Sequence, residues 1–128
     1  MLLPGGGRDR VTVRVAGLVP LLVMKGTALS DRVKEKDAYD IYYCVRNYPG
    51  GPAALAELFR PHLGNRIVRE GLGKIRAKFK SPDYVGPKWV ADFEGVTDEE
   101  ARAIAQRESY EEVSRWLDAL GVESWEGK

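Results

Sequence analysis

The chain has one cysteine, one histidine and almost no net charge in 128 residues. A single Cys44 excludes an intrachain disulfide and suits a reducing, cytoplasmic setting. Its place in a helical stripe makes it a small core hydrophobe rather than a reactive thiol. The lone His62 follows Pro61 with no ligand-type spacing around it, so it reads as a helix-end residue and not as a metal ligand. Long hydrophobic runs are also missing. The longest, residues 15–24, is too short to span a bilayer and contains Pro20, and no signal-peptide pattern is present, so no membrane association is expected. A formal net charge of +1 gives no global attraction to nucleic acid. There is no internal repeat.

What is present is one domain's worth of helical patterning. Residues 1–9, with Pro4 and three glycines, read as a flexible N-terminus. Residues 10–121 read as a helical domain with one leading strand, and residues 122–128 as a C-terminal tail. The strand is expected at residues 10–15, where Val11, Val13 and Val15 alternate. Such a strand needs a partner, either a second copy in a homodimer or sheet from outside this segment.

Helices are predicted at 17–30, with Pro20 in the first turn, and at 36–47, closed by Pro49-Gly50-Gly51. Two more are predicted at 52–63 and 65–79. Residues 81–95, with Pro82, Gly86, Pro87 and Gly95, read as an irregular loop pinned by Trp89, Val90 and Phe93. Thr97 and Glu100 read as a capping box for a last helix that Gly121 stops. The fold class is therefore mainly α, a short strand followed by a bundle of about five helices.

Two of these helices place charge on apolar faces. Lys25 lies within the stripe Leu18, Leu21, Leu22, Leu29. Asp37 and Asp40 lie one turn before Ile41, Cys44 and Tyr48. A periodic apolar face turns inward, and a buried ammonium or carboxylate is costly unless paired or ligand-bound. Lys25 and the two aspartates should therefore meet each other or something the chain binds. Lys25 can hold a phosphate as a point charge, or serve in a structural pair with Asp37. Asp37 and Asp40 are neighbours at i, i+3. They can share a divalent cation, or split, one pairing with Lys25 or Arg32 and the other favouring the helix N-terminus. Arg32 and Lys36 flank them, either to neutralise a triphosphate or as solvated side chains. Tyr39, Tyr42 and Tyr43 can stack on a base, although core packing with hydroxyls at the rim is the commoner role.

Met24-Lys25-Gly26-Thr27-Ala28-Leu29, then Arg32, then Lys36-Asp37-Ala38-Tyr39-Asp40-Ile41-Tyr42, resembles the third motif of AbiEii/AbiGii-type nucleotidyltransferases. These are toxins of type IV toxin–antitoxin and abortive-infection systems. The residues 81–93 and the closing helix are also similar to that family, so the resemblance covers most of 11–120. The family's Gly-Ser motif and metal-holding Asp-x-Asp pair do not occur in this sequence. Asp92-Phe93-Glu94 follows no Gly-Ser.

The resemblance implies the C-terminal helical portion of such an enzyme, inactive alone. The complete enzyme would use magnesium, a nucleoside triphosphate and an acceptor such as RNA, with a missing N-terminal half or an antitoxin as protein partner. This segment alone would bind no magnesium. By this resemblance Lys25, Asp37 and Asp40 are the catalytic residues, Lys25, Arg32 and Lys36 bind nucleotide, and Asp37 holds metal.

Charge is unevenly spread. Residues 60–80 carry seven basic side chains against Glu70, and residues 92–112 carry eight acidic ones against Arg102 and Arg107. The basic face Arg66, Arg69, Arg76, Lys80 suits an RNA backbone, or else is solvated or packed on the acidic helix. The competing reading of the whole chain is a non-enzymatic interaction or dimerisation module.

Overall fold

The computed structural model describes residues 10–31 and 35–125. Helices α1 (Arg10–Asp31), α2 (Glu35–Asn47) and α3 (Gly51–Phe59) lead into a 3-10 turn, Arg60–His62. Then follow α4 (Arg66–Lys78), α5 (Val85–Phe93) and α6 (Glu99–Leu120). The chain is a mainly α bundle, with no strand among the described residues. Residues 1–9, expected as a flexible terminus, lie outside the described residues.

Three local expectations need correcting. Residues 10–15 have helical backbone as the start of α1, not strand. A strand's polar groups need a neighbouring strand, whereas a helix satisfies them within itself. Alternating valines favour a strand only beside another strand, and none occurs among the described residues. With α1 starting at Arg10, Pro20 falls in the helix interior and not in its first turn, and cannot bond back to the Ala16 carbonyl.

Residues 81–95 are not an open loop. Their centre is α5, with Gly86 and Pro87 in its first turn, where a proline sacrifices no intrahelical bond. Trp89 and Val90 are buried as expected, but Phe93 is exposed. The cap of α6 is Asp98 rather than Thr97, and its carboxylate accepts from the Ala101 amide at 2.9 Å. Gly121 does close α6 in a left-handed conformation.

The core follows helical periodicity with small rotations from the expected stripes. α1 buries Val19, Leu22, Val23 and Leu29, whereas Leu21 is exposed. α2 buries Ala38, Ile41, Tyr42 and Val45, leaving Cys44 and Tyr48 half-buried. α3 contributes Leu55, Ala56 and Phe59, and α4 contributes Val68, Leu72, Ile75 and Phe79. Val113, Trp116, Leu117 and Leu120 complete it from α6, where Trp116 stands edge-on to Phe59 at 5.2 Å. Each fully buried large side chain of this kind contributes about 1.5–3 kcal/mol.

α1 packs chiefly on α4, α2 on α5, α3 on α6, and α5 on α6. The expected tail is partly docked. Val122 packs on the core, and the Trp125 amide donates to the Gly73 carbonyl at 3.0 Å, so residues 122–125 run across α4 as a strap.

Candidate functional site

α1 and α2 meet at the charged positions singled out above. The Lys25 ammonium lies 2.9 Å from Asp37 Oδ1 and 3.0 Å from Asp40 Oδ2. Lys36, one turn before Asp40, reaches the same Asp40 oxygen at 2.8 Å. The site forms because Lys25 sits one turn before the buried Leu29. Asp37 and Asp40 flank the fully buried Ala38 and precede Ile41. Burying these apolar neighbours draws the charged stems inward.

The three inner side chains are only 19%, 16% and 24% exposed, whereas Lys36 is 70% exposed. Arg32, the remaining expected member, lies outside the described residues.

The electrostatics follow from this geometry. Burial alone would lower the Lys25 pKa, but hydrogen bonds to Asp37 and Asp40 outweigh it and raise the ammonium above its ordinary value. For Asp40, burial would raise the carboxyl. Hydrogen bonds from Lys36 and Lys25 outweigh it and hold the carboxyl below its ordinary value. Cys44 is half-buried beside the cluster. Burial, then the charge of Asp40, pushes its thiol up, which fits a core role and not a nucleophile.

Two carboxylates thus converge on one cation position, held by an ammonium. That fits the one or two carboxylates by which magnesium is commonly held. Among the described residues no group of three or more His, Cys, Asp or Glu side chains could hold a metal, so further ligands would be water, phosphate or another chain.

The tyrosines divide. Tyr42 is buried, accepts from Arg46 at 2.6 Å and donates to Glu108 at 3.2 Å, which ties α2 to α6. Tyr39 is half-buried, with its ring 6.0 Å from that of Tyr43 and 5.0 Å from that of Phe93. Tyr43 and Phe93 are exposed. Sequence reasoning missed Phe93 here, because nothing in a single sequence brings α5 beside α2.

The basic residues of α4, and Lys80 just beyond it, are used singly. Arg69 donates to the Leu63 carbonyl at 2.6 Å, and Arg76 pairs with Asp118 of α6. Arg66 lies over the Trp125 ring and Lys80 over the Tyr84 ring. Of Arg66, Arg69, Arg76 and Lys80, Arg76 is the one that pairs with a carboxylate of the last helix. No helix among the described residues is long and apolar enough to cross a membrane. No family model, curated protein or solved structure matches the chain.

Proposed function

We propose that this chain is the helical part of a nucleotidyltransferase-like protein of the AbiEii/AbiGii type. It would contribute Lys25, Asp37 and Asp40 to a nucleotide site whose catalytic carboxylates come from elsewhere. The observation that carries this reading is the convergence of Asp37 and Asp40 on the Lys25 ammonium, with Lys36 on the same Asp40 oxygen.

These four groups sum to zero charge. A magnesium triphosphate is itself a paired cation and anion. It can enter such a cluster by partner exchange, the carboxylates turning to the cation and the ammoniums to the phosphates. Each of the four side chains would keep an opposite partner, and the net negative charge of the magnesium triphosphate would stay on its outward, water-facing oxygens. Magnesium, when bound, would neutralise charge developing on the transferred phosphoryl group. Asp37 and Asp40 would hold it, Lys25 and Lys36 would orient the phosphates, and RNA is the acceptor class that goes with this reading. The Arg32 position and an antitoxin or catalytic-half partner belong to the same proposal, as does homodimerisation.

The test is transfer of labelled nucleotide to RNA with magnesium. The chain alone should give none above blank. Joined to a family catalytic half bearing Gly-Ser and Asp-x-Asp, it should give transfer that Lys25→Met lowers at least about 100-fold. Full transfer by the Lys25→Met protein would overturn the assignment.

A second reading, a non-enzymatic interaction module, is favoured by an apolar groove of about 590 Å³ between α1 and α4. Met24 and Ile67 line it and are 65% and 68% exposed. Under that reading Lys25→Met would leave every partner contact intact, while Met24→Asp would abolish it.

A further inference from the structure

From the geometry we infer that Tyr43 and Phe93, backed by Tyr39, form a stacking shelf for the base of a nucleotide whose phosphates lie at Lys25 and Lys36. This deepens the proposed function and rests on it for the phosphate end. Three observations support it.

The first is the shelf itself. Tyr39 is half-buried and has Tyr43 at 6.0 Å on its own helix and Phe93 of α5 at 5.0 Å, with ring planes tilted by 34° and 32°. Its two neighbours are 54% and 45% exposed. Exposed aromatic faces held by a fixed third ring suit flat, sequence-tolerant stacking.

The second is continuity with the charged cluster. Lys36 and Tyr43 are seven residues apart on α2, so they lie on one side of the helix about 10 Å apart along its axis. That separation is of the order a nucleotide spans between its base and its outer phosphates. Asp40 and Tyr39 lie between them in sequence, so the charged and aromatic surfaces are contiguous.

The third is polarity. Phosphates at Lys36 would sit at the N-terminal end of α2, where the helix dipole favours anions and where Lys25 and Lys36 offset Asp37 and Asp40, with exposed Glu35 beside them. At the opposite end Phe93 is flanked by Asp92 and Glu94. Asp92 is paired with Arg102, but Glu94 is exposed. A phosphate would be repelled there and a neutral base would not. One orientation therefore suits both ends. No hydrogen-bonding group on the shelf itself is required, so all bases should bind, purines best for their larger stacking area.

The experiment is a titration of the intact chain with three probes, followed by NMR at the Tyr43 and Phe93 rings and the Lys25 and Lys36 side chains. Adenosine should shift the rings only, and magnesium tripolyphosphate the lysines only. Magnesium ATP should shift both, with a Kd on the order of 1 mM. Tyr43→Ala and Phe93→Ala should each weaken ATP binding about tenfold and leave tripolyphosphate binding unchanged. Both positions are exposed, so the fold should persist, which the unchanged core methyl resonances would verify.

Lysine shifts with unmoved rings would overturn the shelf and leave the nucleotide reading standing. Ring shifts with unmoved lysines would overturn that reading and reduce the shelf to a nucleoside surface, contrary to the proposal. An oligouridine that shifts the rings at concentrations where ATP does not would assign the shelf to an RNA strand instead. No shift from any probe up to about 10 mM would remove the inference altogether.

Discussion

Gly26 of α1 and Gly71 of α4 meet without room for a side chain on either. A Cβ on Gly26 would fall on the Gly71 carbonyl oxygen and 2.8 Å from Ile75 Cγ1, and one on Gly71 would lie 2.9 Å from the Val23 carbonyl oxygen. The two backbones approach closely here, which fixes where α1 crosses α4 and so where Lys25, the next residue back, is presented to α2.

Gly26→Ala should therefore destabilise the bundle by about 1–3 kcal/mol, because overpacking outweighs alanine's better helix propensity. Gly17→Ala is the control. It lies on the same helix with nothing within 4 Å of its would-be Cβ, so it should stabilise by up to about 1 kcal/mol. Urea unfolding midpoints of the two variants should move in opposite directions. Equal shifts would mean the glycine contact does not set the crossing.

Lys25 and Asp37 should be energetically coupled. Lys25→Met removes the cation that two carboxylates share, whereas Asp37→Leu leaves Lys25 with Asp40. The lysine change should cost more, and the double variant less than the sum of the singles by about 1–3 kcal/mol. Thermal or urea melts of the three proteins give the cycle. Additive single effects would leave the contact without energetic weight.

Stability should fall at both pH extremes through this cluster. Asp40 has a folded-state pKa below its ordinary 3.8. Its contribution is complete above that value and is lost as pH drops through the lower folded value. The Lys25 pKa is raised above 10.5. Its contribution is complete below 10.5 and is lost as pH climbs through the higher folded value. Asp40→Asn should flatten the acid limb of a stability-versus-pH curve and leave the neutral region's slope unchanged. An acid limb identical to wild type would assign the loss to other carboxylates.

Cys44 should react slowly. Burial and the neighbouring Asp40 charge raise its thiol pKa, so thiolate is scarce at neutral pH. Its reaction with a disulfide reagent at pH 7.5 should be at least about tenfold slower than that of free cysteine, and should recover in urea. A rate matching free cysteine in the folded protein would contradict the packing of α2.

Helical periodicity made much of this legible. Val68, Leu72, Ile75 and Phe79, and Val113, Leu117 and Leu120, recur at helical spacing in the sequence and are buried. The meeting of Lys25 with Asp37 and Asp40 was also readable, since charges on inward faces must be compensated. Residues 10–15 misled, because valine alternation says nothing about whether a partner strand exists. α5 was hidden because Gly86 and Pro87 are loop signals until they are known to occupy a first turn. The glycine crossing of α1 and α4 was invisible, since a glycine lacking a left-handed backbone announces a contact only when its neighbour is known. Phe93 could not be placed beside Tyr39 for the same reason.

α4 has glycines on two of its sides. Gly71 admits α1, and Gly73 admits the strap, where a Cβ would stand 3.2 Å from the Glu123 carbonyl oxygen. Each glycine costs the isolated helix about 1 kcal/mol relative to alanine. α4 is therefore a poor helix in its own right, and its order is borrowed from what docks against it. Its amide protons should exchange with solvent as a readout of those dockings. Loosening either α1 or the strap would be registered along α4 before the stripes of α6 noticed anything.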